Sequence, residues 1–250
     1  MAATAGVPPQ QPAPLPEFQR VVNTFIAPSK TFTDLRRSAA WWAPFLISAI
    51  VSVLFVYVVD QKVGFRKVWE NQLRTQPKQA ERMESMPADQ REKVVQQQVK
   101  FTKVFSYAFP VVLLIWYAIV AVVLFGTLKL AAGADLHYKT IFALVMYSSL
   151  PGILKAGLAM LSLLAGVSSD AFTFQNPVAT NPGYFVDATS SPVLHNLLSS
   201  FDVITIWTLV LGAIGITCIG KVKTGTAFAV VFGWFALLVL IGVGFAAAFA

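Results

Sequence analysis

The chain has 250 residues, 56% of them hydrophobic and 12% charged, where an ordinary soluble domain carries ~25% charged residues. The apolar residues cluster in long runs almost free of charge, which excludes a soluble globular protein and points to membrane spans. The net charge of +7 sits beside the ends of these runs rather than in a basic cluster interleaved with aromatics, so nucleic acid is not an expected partner; Lys and Arg at span ends set topology and meet anionic lipid.

Residues 1–16, MAATAGVPPQQPAPLP, carry five prolines and no charge. The expectation is a disordered tail over 1–17, since such a segment has little to bury, and not a signal peptide, which needs a basic start and an apolar core. In FQRVVNTFI, Phe18, Val21, Val22, Phe25 and Ile26 share one helical face, with Arg20 and Asn23 on the other. This predicts an interfacial amphipathic helix, either on the membrane or against the protein's own cytoplasmic face, ended by Pro28. A second short helix follows, with Phe32 and Leu35 inward and Arg36-Arg37 near headgroups.

Five spans are expected, at about 41–59, 108–130, 140–166, 202–220 and 226–249, so that 18–250 form one membrane domain. Trp41-Trp42 mark an interface at the first, and Pro44 falls in its first turn, where the missing N–H costs little. Between the first two spans, Asp60–Tyr107 carries ten Lys/Arg and six Asp/Glu. Its Gln- and charge-rich pattern, interrupted at Pro77 and Pro87, reads as a solvated helical hairpin outside the membrane.

The third apolar run, His137–Leu164, is broken by Pro151-Gly152 and carries Lys155 three residues later. The break admits two readings: an ordinary proline kink whose opened carbonyls are satisfied by Tyr147, Ser148 and Ser149, which is preferred, or a discontinuous transporter helix. Residues 168–201 contain no Lys or Arg, with QNPVATNPGYF at the centre and the aromatics Phe172, Phe174, Tyr184 and Phe185 suggesting a lid on the bundle. Ser191-Pro192 is a good helix start, so the fourth span is expected to run without interruption from Pro192 to Gly220. Lys129 with Lys139, and Lys221 with Lys223, flank two short loops that the positive-inside rule assigns to the cytoplasm. The N-terminus is then cytoplasmic, the C-terminus outside, and the 60–107 segment outside despite its ten cations.

The order and spacing of several pieces resemble the Yip domain family of Ypt/Rab-interacting membrane proteins, and within it the prokaryotic branch. These are Phe25-x-x-Pro28-x-x-x-Phe32-x-x-Leu35 before a Trp-Pro span, and Tyr138 followed by Tyr147-Ser148-Ser149-Leu150-Pro151. Two more are Phe201-Asp202 with Trp207, Gly212 and Gly215 after it, and Lys221-x-Lys223-x-x-x-Ala227 opening the last span. The resemblance covers about 18–245 and implies a multi-pass protein with a cytoplasmic N-terminus. Eukaryotic relatives bind Rab-type GTPases; their Asp-Leu-Tyr-Gly-Pro segment is absent here, where Asp34-Leu35 is followed by Arg36-Arg37, so GTPase binding is not carried over.

Ionisable residues inside a membrane are costly and each is a functional candidate. Lys155 lies ~18 Å inside the far end of its helix at ~1.5 Å per residue, and Asp202, in a helix begun at Pro192, lies ~15 Å inside by the same rise. The matched depths predict a buried ion pair locking spans three and four. Cys218 is the single cysteine, which excludes an internal disulfide, and His137 and His195 are too far apart in sequence for a recognisable metal motif. No metal or other cofactor is expected. Gly166-Val167-Ser168 with His195 has no second motif to support a hydrolase. Gly225-x-x-x-Ala229-x-x-x-Gly233 and Gly152-x-x-x-Ala156 are small-residue ridges read as internal helix contacts before a dimer seam. The expected whole is an all-α bundle of five transmembrane helices in the cell (inner) membrane, not an enzyme. Its expected role is to organise membrane or partner proteins, its partners being lipid, other membrane proteins or a second copy; the alternative is a small-molecule or ion permease with a path near Lys155 and Asp202.

Overall fold

The computed structural model describes residues 13–166, 169–170 and 172–249; most of the proline-rich tail and the Val167-Ser168 pair lie outside the described residues. The described residues form twelve α-helices and one 3-10 turn, with no strand among them. Five stretches are long and apolar enough to cross a membrane: Trp42–Lys62, Phe109–Leu130, Tyr138–Leu164, Val203–Gly220 and Thr224–Ala248.

Helices α1 (Glu17–Ile26) and α2 (Pro28–Asp34) form a short hairpin before α3 (Trp42–Lys62). Three helices then stand beyond the apolar ends of the spans: α4 (Phe65–Arg74), α5 (Pro77–Glu84) and α6 (Ala88–Tyr107). Pro77 opens α5 and Pro87 caps α6, positions where a missing N–H is harmless. The second span is α7 (Phe109–Ala132), the third α8 (Tyr138–Ser148) plus α9 (Gly152–Leu164), and the last two are α11 (Val203–Gly220) and α12 (Thr224–Phe249), with α10 (Pro192–Ser200) ahead of α11. The bundle has a hairpin end, carrying α4–α6 and the described part of residues 165–191, and a turn end, carrying the tight connections at 133–137 and 221–223. Gly133 and Lys221 make those turns in the left-handed region, at φ 57° and 51°.

Helix α8 is the axis. All eight residues from Ile141 to Ser148 are buried, because α7, α11, α1 and α3 surround it. Lipid tails are as apolar as leucine, so this core is held by close packing rather than by escape from water. Gly215 shows how close: a Cβ there would sit 2.3 Å from Leu144 Cδ1 and 3.2 Å from Phe32 Cδ1.

Helix α1 presents the faces of its amphipathic pattern in an unexpected direction. Arg20, Asn23 and Thr24 are its buried residues, while Phe18 and Ile26 stay 80% and 75% exposed. The polar face is turned into the protein because it carries its own partners. Arg20, fully buried, donates from Nε to Asp34 Oδ2 at 2.8 Å and from Nη1 to Glu17 Oε1 at 3.0 Å. The hydroxyls of Thr24 and Thr31 both donate to the Arg20 carbonyl at 2.8 Å, and Tyr147 of α8 donates its hydroxyl to Glu17. The hairpin lies along the flank of the bundle. Phe25 meets the Trp207 ring edge-on at 5.8 Å; Trp207 is ~20 Å from the Gly220 end of α11, and Tyr147 ~14 Å from the Tyr138 end of α8, at ~1.5 Å per residue.

Buried Trp69, Met83 and Val95 pack α4, α5 and α6 together, and hydrogen bonds add to this. Arg66 grips Glu92 through two N–H···O bonds of 3.1 and 3.0 Å, and that hydrogen bonding lowers the Glu92 carboxyl below its ordinary value. Asn71 Nδ2 donates to the carbonyls of Ser169 and Phe172 at 2.9 and 3.0 Å, fastening α4 to the loop after α9.

Removing one partner of a buried ion pair costs ~3–5 kcal/mol, whereas replacing both by apolar groups is often neutral. Arg20→Met is therefore expected to lower the thermal midpoint in detergent sharply, Arg20→Met with Asp34→Leu to recover most of the loss, and Phe18→Ala to change it little. Differential scanning fluorimetry on the three variants measures this.

Candidate functional site at the helix break

The interruption between α8 and α9 is a tight turn, not an unwound segment. Ser149 N–H donates to Val145 O at 3.1 Å, Leu150 to Tyr147 O at 3.1 Å, Gly152 to Ser149 O at 3.0 Å and Leu154 to Pro151 O at 3.0 Å. Ser148 and Ser149 hydroxyls both donate to Val145 O, at 3.1 and 2.7 Å. The backbone that Pro151 disturbs is thereby re-satisfied without water, as a membrane interior demands. Tyr147 contributes only its carbonyl to this turn; its hydroxyl serves Glu17.

One turn beyond the break, Lys155 Nζ lies 2.9 Å from Asp202 Oδ2. The route by which Asp202 reaches this point differs from the continuous helix expected from Pro192. The chain breaks at Phe201-Asp202, and Asp202 is the N-cap of α11, its Oδ1 accepting from Ile204 N–H at 3.0 Å and Thr205 N–H at 3.1 Å. The reason is chemical: aspartate is a poor interior helical residue and one of the best N-caps, worth ~1 kcal/mol there.

Asp202, 2% exposed, also gathers the loop. Thr180 Oγ1 donates to its Oδ2, Asn181 Nδ2 approaches the same oxygen at 3.4 Å, and Val203 N–H donates to Thr180 O at 3.1 Å. Asn181 Nδ2 donates to Asn176 Oδ1 at 2.8 Å, and Asn181 Oδ1 accepts from Tyr184 N–H at 3.0 Å. Gly183 is pressed onto α10 so closely that a Cβ would lie 2.5 Å from Ser199 N and 2.8 Å from His195 O. None of Thr180, Asn176 or Asn181 was singled out from sequence; the only signal was that NPVATNPGYF is rich in side chains that bond backbone. Phe172 of the same loop is buried against Phe55 and Phe174, while Phe185 remains 79% exposed.

Beyond the break α9 packs along α3, whereas α8 packs along α7. The divergence leaves a cavity of about 690 Å³ between α3, α4, α6, α7 and α9, with Tyr117, Ser149, Gly152 and Lys155 on its wall. Toward the turn end the space between α7 and α8 is filled by buried Ala121, Leu124, Leu128, Ile141 and Val145, so the cavity reaches Lys155 from the hairpin side. Gly152 and Ala156 face this space, so they form no helix–helix seam. Gly225, Ala229 and Gly233 are also not in an internal contact: all three are exposed on α12. His195 is engaged by Val186 O at 2.9 Å from Nδ1, and Ser168 lies outside the described residues. Among the described residues no three His, Cys, Asp or Glu side chains gather into a metal site.

Lys155→Met should remove a charge-assisted bond worth ~1.5–3 kcal/mol. Asp202→Ala should cost more, ~3–5 kcal/mol, because the cap and the loop anchors go with the charge. Thermal midpoints of both variants and of Lys155→Met with Asp202→Ala, in one detergent, close the cycle; a double variant as damaged as the sum of the singles would show the two groups to be energetically independent.

No curated protein and no solved structure matches the chain. A family model does, the Yip1 domain, over residues 22–246, and with five apolar helices spanning the same residues the chain belongs to the Yip1 domain family of multi-pass membrane proteins.

Proposed function

We propose that this Yip1-family protein is a non-enzymatic organiser of the membrane that works by lateral association with other membrane helices. The observation that carries the reading is α12. Only 6% of its span is buried inside the protein, against 50% for the α8–α9 span. Its contacts with α11, α10 and α7 leave Gly225, Ala229 and Gly233 in a bare row, where a Cβ on either glycine meets nothing within 4 Å. Small residues four apart let two helix backbones approach closely, which is how transmembrane helices associate by van der Waals packing. The cluster of Lys and Arg at the turn end supports a cytoplasmic N-terminus in the cell membrane, with α4–α6 and the C-terminus outside.

A second reading, a permease, is favoured by one observation, the cavity that reaches Lys155, the partner of Asp202, from the hairpin side. It requires that the packed half below Ser149 open.

In a Cys218→Ser background, Ala229→Cys should cross-link in native membranes, and Gly225→Leu with Gly233→Leu should abolish the product. A product of twice the chain's mass identifies a second copy, any other mass a different partner; monomer alone rejects association through α12. For orientation, Lys78→Cys should react with a membrane-impermeant maleimide in intact cells and Lys223→Cys only after permeabilisation; the reverse pattern inverts the topology.

A further inference from the structure

The cavity beside the helix break has a chemistry of its own. Along α6 and α7, Gln98, Phe101, Phe105, Phe109, Leu113 and Tyr117 line it. They recur every three or four residues, and Ala108 between the two helices keeps helical backbone, so they form one stripe ~28 Å long at ~1.5 Å per residue. One end of the stripe is polar. Gln72 of α4, Gln76 at the N-cap of α5, Gln79 of α5 and Gln175 of the loop join Gln98 there. The middle is apolar, with Val51, Phe55 and Ile153 lining it beside Phe105, Phe109 and Leu113, and the far end at the helix break carries Tyr117, Ser149 and Lys155. Phe101, Phe105 and Phe109 remain 64%, 46% and 41% exposed although they face into the protein's own cavity, so the wall offers apolar surface that the chain itself does not cover.

Among the described residues no Asp or Glu lines the cavity, and the ionised one that does, Lys155, is a cation already engaged by Asp202. A cationic ligand would therefore lose its hydration without gaining a counter-charge, while glutamine amides both donate and accept hydrogen bonds. The volume, about 690 Å³, falls within the ~300–1,000 Å³ of small-molecule sites. A chain in one leaflet spans about half of the ~30 Å hydrocarbon core, so the stripe is long enough for one such chain and a head. We propose that this cavity is a binding site for a single-chain lipid, its chain along Phe101–Leu113 and its polar, non-cationic head among the glutamines. The assignment is independent of association through α12.

Gly152 supplies the test. It lines the cavity, a Cβ there meets nothing within 4 Å, and its φ is not positive. Gly152→Leu should thus fill the space without disturbing the fold. The full chain in nanodiscs is photolabelled with a monoacylglycerol bearing a diazirine in its acyl chain, and adducts are mapped by mass spectrometry. Adducts are expected on α6–α7 stripe residues. They should fall about tenfold or more in Gly152→Leu, the scale on which a pocket rejects overlap with a misfit group, while its thermal midpoint is retained. Ala156→Phe serves as a second filler should the first variant lose its fold. Unlabelled lysophosphatidylglycerol should compete and an alkyltrimethylammonium of equal chain length should not. Adducts confined to outward-facing residues, labelling that survives both fillers, or equal competition by the cationic amphiphile overturns the assignment.

Discussion

Asp202 is a carboxylate placed where a membrane-spanning helix begins, and α9, α11 and the loop at Thr180–Asn181 are all held by it. One oxygen closes the first turn of α11, and the other takes Lys155 from α9 and Thr180 from the loop. A buried carboxylate is tolerable only when its lone pairs are occupied by good donors. Satisfying that demand brings three separate stretches of chain to one point. The loop without Lys or Arg is thereby folded, through the Asn176–Asn181 amide pair and the contact of Gly183 with α10, into a fitted cover.

The break at Ser149–Pro151 works in the opposite sense. It creates space by sending α9 toward α3 while α8 stays with α7. Because the hydroxyls of Ser148 and Ser149 and the short-range backbone bonds keep the turn satisfied, the divergence is achieved without exposing polar backbone to lipid. The protein is consequently solid toward the turn end, around α8, and hollow toward the hairpin end.

The spans were legible because long apolar runs have few other meanings, and the α4–α6 helices because prolines punctuate them. The path of the fourth span was not. Depth counting from Pro192 assumed one helix, whereas the capping preference of Asp202 divides it into α10 and α11. The partners Thr180, Asn176 and Asn181 were illegible for a different reason: a polar loop residue carries no mark of which distant carboxylate it will meet. Helix α1 failed a rule that holds at water interfaces. Periodicity shows that two faces exist, but where one neighbour is lipid and the other a buried Asp34, the polar face turns inward. The reversal had a faint signal in Glu17, Arg20 and Asp34, three charges of alternating sign within reach of one another.

That arrangement also orders events in time. Glu17 bonds a tyrosine 130 residues further along the chain, and Phe25 rests on Trp207. Helix α1 is made first, yet its seat does not exist until α8 and α11 have been synthesised and inserted. Until then Arg20 has Glu17 and Asp34 on its own hairpin to neutralise it, and Phe18, Val22 and Ile26 form a face suited to resting on the bilayer. The docking of α1 and α2 therefore follows the insertion of α8 and α11 rather than preceding it.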